Sequence, residues 1–79
     1  MIRLIALGRL SDLCGSDLTL AAEAPIGWDA LVRALPEQLA AALADDRVRV
    51  ARNGVLIARD ALVAAPGDEI ALLPPVSGG

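Results

Sequence analysis

A chain of 79 residues with 56% hydrophobic and 22% charged residues suits one small folded domain and excludes both a disordered tail and a two-domain enzyme. It has no His, Lys, Tyr or Phe, one Cys and one Trp, which removes Ser/His and Cys/His dyads, disulfides, thiolate metal cages and base-stacking platforms. A net charge of −3 opposes binding to a phosphate backbone or an anionic membrane, so the partner expected is another protein and not nucleic acid.

Met1 to Leu7 (MIRLIAL) is a β-competent apolar run broken only by Arg3, expected to form a strand buried on both faces in mid-sheet. Gly8 ends it. Arg9 to Cys14 then places Leu10, Leu13 and Cys14 at helical spacing, one or two turns stopped by Gly15. From Asp17 to Ala24 the pattern alternates loosely, with Leu18 and Leu20 opposite Thr19, as in a strand hairpinned beside the first.

The main helix is expected after Gly27, with Asp29 in its first turn, where a negative charge favours the helix dipole. Trp28, Leu31, Val32 and Leu35 form one apolar stripe, which assigns Trp28 to the core. Pro36 stops or kinks the helix. Leu39 and Leu43 continue the stripe in an Ala-rich second piece ending at Asp45 and Asp46. Arg47 to Arg52 alternates strictly, with Val48 and Val50 on the inner face. Asn53-Gly54 readily takes positive φ and should turn Val55 to Ile57 back alongside it. Pro66-Gly67-Asp68 makes another turn, and Glu69 to Leu73 a final strand. The order predicts an α+β fold, a sheet with helices packed on one face.

Chemistry concentrates at the carboxyl end. After Glu69 no charged side chain occurs, and the chain finishes Pro-Pro-Val-Ser-Gly-Gly; two final glycines arise by chance in roughly one chain in two hundred at average Gly usage. Pro74 and Pro75 favour an extended exit from the last strand, and six residues reach at most ~20 Å, enough to enter another protein's pocket. Glycine, lacking Cβ, passes a narrow channel. A carboxylate ionised with pKa near 3.5 is a poor electrophile, but it can attack the α-phosphate of ATP to give an acyl adenylate. The chain has no glycine-rich loop followed by Lys, so the ATP site belongs to a partner and no cofactor is expected on this chain. Cys14 reads as a small apolar filler, Arg47, Arg49 and Arg52 as a solvated strand face, and Asp45-Asp46 and Asp68-Glu69 as turn acids without a third ligand for a metal.

The segment GDEIALLPPVSGG (Gly67 to Gly79) closely resembles the end of the small, sulfur-carrying subunits of molybdopterin synthases, in the MoaD/ThiS family of ubiquitin-like β-grasp proteins. IRLIALGRLSDLCG (Ile2 to Gly15) and Asn53 resemble that family's opening strand, short helix and hairpin turn. The resemblance implies a β-grasp domain over residues 1–73 and an extended tail over 74–79. It implies that an E1-like adenylating enzyme activates Gly79, and that a persulfide sulfur displaces AMP to leave a C-terminal thiocarboxylate. The thiocarboxylate then donates sulfur to cyclic pyranopterin monophosphate inside the large synthase subunit, in a heterotetramer. By position Gly79 is the thioglycine, Gly78 its companion, and Pro74, Pro75, Val76 and Ser77 the inserted stem; the catalytic side chains belong to the partner. Gly-Gly alone also fits a thiamine-pathway carrier or a protein modifier joined through Gly79. Where the family often has Phe near the end of the first strand this chain has Ile5, Ala6 and Leu7, and Ser11 stands where Arg is common, which reads as aliphatic repacking. Without an apolar run near the ~20 residues a membrane span needs, a cytoplasmic location is expected.

Overall fold

The computed structural model describes residues 1–14 and 17–75. In chain order these form β1 (Ile2–Ala6), a 3₁₀ turn (Gly8–Leu10), α1 (Ser11–Cys14), β2 (Asp17–Leu20), β3 (Ile26–Gly27), α2 (Trp28–Arg33) and α3 (Glu37–Leu43). There follow β4 (Arg49–Arg52), β5 (Val55–Ile57), a second 3₁₀ turn (Arg59–Ala61), β6 (Val63–Ala64) and β7 (Glu69–Leu73). Five strands make a mixed sheet in the order β2-β1-β7-β4-β5, and β3 pairs with β6 in a separate two-stranded bridge. The sheet's middle strand is β7, parallel to β1 and antiparallel to β4.

Strand alternation decides what is buried. Ile2, Leu4 and Ala6 of β1, Ile70 and Leu72 of β7 and Val50 of β4 point to one side and are almost fully covered. Leu31, Leu35, Leu39 and Leu43 of the α2–α3 region close over them, so the core is aliphatic throughout and depends on close packing. Among the described residues the opposite face carries no helix. Arg3 is exposed there and Ile5 only half-buried, so β1 is not the strand covered on both sides that its apolar run implied: hydrophobicity reports the inner face only.

Other expectations hold with small shifts. Gly27 caps α2, and Pro36, which cannot donate an amide proton, separates α2 from α3. The second helix stops at Leu43, two residues short of the acids. Beyond the backbone bonds that Ala44 and Asp45 donate to Ala41 and Ala42, Arg59 donates to the carbonyls of Leu43 (2.9 Å) and Asp45 (2.8 Å) at this helix end. The same guanidinium lies 4.6 Å from the centroid of Trp28, a cation–π contact. Trp28 is therefore half-buried, packed against the edge of the core with a cation over its other side. Asn53 (φ 51°) and Gly54 (φ 86°) form the two-residue hairpin loop between β4 and β5, with Arg52 opposite Val55.

Asp68 joins the last turn to that hairpin. Its Oδ2 accepts from Arg52 Nε (2.8 Å) and the Ala65 amide (2.9 Å), and its Oδ1 from Asn53 Nδ2 (3.1 Å). Asn53 Oδ1 in turn accepts from the Glu69 amide (2.9 Å). The Ala65 amide first, then Asn53 and Arg52, hold the Asp68 carboxyl below its ordinary value of 3.8. Arg47 lowers Asp45 to about 2 through its guanidinium and its backbone amide. A carboxylate whose folded pKa is depressed contributes stability that is complete above 3.8 and is lost as pH falls through the folded value. Acid unfolding should therefore steepen from pH 3.8 towards about 2. Asp68→Asn should flatten that limb in denaturant titrations, and an unchanged slope would remove Asp68 from the account.

Candidate functional site at the root of the tail

Of the residues singled out by sequence, Pro74 and Pro75 are described and both are half-buried against the body. Val76, Ser77, Gly78 and Gly79, and the side chain of Cys14, lie outside the described residues. The prolines border a cleft of about 610 Å³ whose lining includes Leu10, Leu13, Ala41, Ala42, Arg9 and Arg47. The body therefore meets the first two residues of the six-residue tail, and covalent geometry limits the four beyond them to about 14 Å.

The tail leaves from the sheet's middle strand, beside the uncovered face. By register, Ile5 of β1 lies next to Ala71 of β7, Ala71 next to Ala51 of β4, and Ala51 next to Leu56 of β5. This apolar strip crosses four strands; Ala51 within it is buried, Ile5 and Ala71 are half-buried, and it ends at Leu56, 65% exposed. Leu7, also exposed, follows β1, and Leu73 is the half-buried last residue of β7. Charge lies to one side of the strip: Arg3 pairs with Asp17 at 3.2 Å and with Glu69 at 3.6 Å, which raises the Arg3 pKa, first through its hydrogen bond to Asp17. These exposed pairs add little stability. An apolar band with a charged flank beside a chain exit is what a docking face requires.

Ser11 has an internal task, its hydroxyl donating to the Gly8 carbonyl at 2.7 Å. Among the described residues no three acidic or cysteine side chains come together as a metal would require, and no helix is long and apolar enough to cross a membrane. Sequence reading did not find the apolar strip, because Ile5, Ala71, Ala51 and Leu56 become neighbours only through strand register. Alternation within β7 was its one local trace.

The family model described as the ThiS family matches residues 8–79. The chain belongs to the ThiS family. As a ThiS-family chain it shares the ubiquitin-like β-grasp fold of this group, which includes both sulfur carriers and ubiquitin-like modifiers. The crystal structure of SAMP1 from Haloferax volcanii is 34% identical, with 99% of this chain and 98% of that one aligned at a TM-score of 0.62. A further crystal structure of H. volcanii small archaeal modifier protein 1 is 33% identical, covering 95% and 97% at a TM-score of 0.59. The complex of subunits 1 and 2 of the molybdopterin-converting factor from Helicobacter pylori 26695 aligns over 99% of this ThiS-family chain and 97% of its counterpart, at 24% identity and a TM-score of 0.66, a likeness of fold. No curated protein gives a match.

Proposed function

We propose that this chain is a sulfur carrier whose working group is the Gly79 carboxyl, serving molybdopterin formation. The observation that carries the reading is a Pro-Pro-Val-Ser-Gly-Gly ending on a ThiS-family β-grasp body, rooted beside an uncovered apolar sheet face.

The steps follow from the chemistry of a carboxylate. One carboxylate oxygen of Gly79 attacks the α-phosphorus of ATP bound by an adenylating enzyme, and pyrophosphate leaves. In the acyl adenylate the carboxyl oxygens no longer share a negative charge, so the carbonyl carbon accepts the terminal sulfur of a persulfide, and AMP departs with the bonding pair. A second thiol cleaves the resulting acyl disulfide, leaving a thiocarboxylate on Gly79 and a disulfide on the donor side. Inside a large catalytic subunit that sulfur passes to cyclic pyranopterin monophosphate, and water restores the carboxylate. Two carriers supply one dithiolene. This chain contributes the moving terminus, and the partner contributes the acids and bases.

The apolar strip from Ile5 to Leu56 supports docking on each partner in turn. Its burial would be worth roughly 25 cal/mol per Å² of apolar surface before the costs of association. The H. pylori relative is a two-subunit complex by its own description, which favours a large-subunit partner here.

A second reading is favoured by the 34% identity to SAMP1: the activated Gly79 is passed to an amine of a target protein, as a modifier. Both begin with adenylation. Incubation with ATP, an adenylating enzyme and a persulfide source, followed by intact mass, should show one oxygen-to-sulfur exchange confined to the last residue. Branched peptides carrying Gly79 on target lysines, without that exchange, would favour the modifier. An unaltered mass with no branched product would remove both.

A further inference from the structure

The parallel ladder between β1 and β7 explains how the tail is seated. Its donors alternate between strands: the Arg3 amide donates to the Asp68 carbonyl at 3.0 Å and the Leu7 amide to the Leu72 carbonyl at 3.1 Å. The next donor in that alternation is residue 74, a proline with no amide hydrogen. The Leu7 carbonyl it would have met instead accepts from the Leu10 amide at 3.1 Å, which closes the 3₁₀ turn. The ladder ends, β1 turns away and β7 continues into the tail at one level of the sheet.

Extending the register from Ala6 opposite Leu72 by two residues puts Gly8 opposite Pro74. The contact is close. A Cβ on Gly8 would lie 2.9 Å from Pro74 Cγ and 3.7 Å from Cδ, and the proline ring, closed on its own nitrogen, can shift Cγ only by a change of pucker and not by rotating away. Left-handed backbone is not what distinguishes this glycine. Gly54 and Gly67 also have positive φ, +86° and +93°, yet a Cβ on either meets nothing within 4 Å. Among the described glycines Gly8 alone combines positive φ, +56°, with an occupied Cβ position.

We propose that Gly8 is a positioning residue for the tail: its missing side chain lets Pro74 seat against the turn after β1, which sets the direction in which the chain leaves Pro75 toward the enzyme that activates Gly79. This rests on Gly79 being the group activated. A Cβ at Gly8 displaces the root and so re-aims the chain where it leaves Pro75.

The test is adenylation of the full chain by its adenylating enzyme, followed as ATP-dependent pyrophosphate release at varied chain concentration. Gly8→Ala and Gly8→Asn are compared with Gly54→Ala and Gly67→Ala, which impose similar backbone strain without a contact at Cβ. Asn tolerates the left-handed region, so Gly8→Asn keeps the contact with less strain should Gly8→Ala fail to fold. At a temperature where circular dichroism reports the variants folded, both Gly8 variants should lose on the order of ten-fold in kcat/KM, since small misplacements of a reacting group are costly. The two control variants should match the unaltered chain. Adding Pro74→Ala, which deletes Cγ and Cδ, should recover part of the Gly8→Ala loss, a coupling that purely structural damage would not produce. Gly8 variants that turn over like the controls, or a double variant with no recovery, would overturn the positioning role while leaving Gly79 as the activated group. Failure of the unaltered chain to be adenylated would overturn both.

Discussion

Removing Gly79 should abolish sulfur transfer while leaving the thermal unfolding of the protein unchanged. The shortened chain still ends in a glycine carboxylate, that of Gly78, so acidity, charge and chemical type are retained and only position changes. One residue of extended chain is ~3.5 Å, about the full separation at which reacting atoms meet, and a misplacement of ~1 Å can already cost a hundred-fold. A loss of at least that size is expected in thiocarboxylate formation, read by intact mass. Stability should not follow, because a chain terminus adds few packing contacts. A truncated chain that acquires sulfur at the parent rate would show that the terminal residue is not the acceptor. A large fall in melting temperature would show that it belongs to the fold.

Leu31→Ala is expected to do the reverse. Leu31 is wholly buried within the aliphatic core that joins α2 to the sheet, and truncating such a residue costs about 2–5 kcal/mol in lost transfer energy and residual cavity. A domain of this length has roughly 4–12 kcal/mol in all, so the variant should sit near the edge of folding at 37 °C while its tail chemistry survives in whatever fraction is folded. Leu56→Ala, at 65% exposure, should stay within about 0.5 kcal/mol and instead weaken partner binding. Urea titration of the two variants separates these outcomes. A loss below half a kilocalorie at Leu31 would contradict its place in the core.

Much of the fold was legible because several segments announce their period. The alternation around Val48 and Val50, the Asn53-Gly54 loop and the run Glu69–Leu73 are decided by neighbours in sequence, and the structure has them as a strand that starts at Arg49, two residues later than the alternation from Arg47 implied, a hairpin and a strand. Pro36 could likewise be read alone, since its missing amide forbids helix continuation. What escaped was non-local. The bridge of Ile26–Gly27 with Val63–Ala64 involves two residues on each side, too few to show a period. The work of Arg59 depends on carbonyls 14 and 16 residues away, and Trp28 looked like core because nothing in its helical stripe reveals a cation above it.

The candidate site was legible in a different proportion. The terminal glycines could be read from composition and spacing, but the seat at Gly8 required knowing that β1 and β7 run in the same direction. Two residues 66 positions apart have no local reason to be matched. The apolar strip was hidden in the same way, one residue per strand.

The parallel pairing of β1 with β7 also bears on how the protein is made. The opening strand needs as its neighbour a segment that leaves the ribosome nearly seventy residues later, so the sheet stays split until Glu69–Leu73 has been made, a topology that folds slowly for its size. A polypeptide cut off before residue 69 would leave β1 and β4 without the strand between them and Ile2, Leu4 and Val50 open to water. Such fragments present unpaired strand edges and apolar surface, the features that make incomplete chains prone to aggregation and proteolysis.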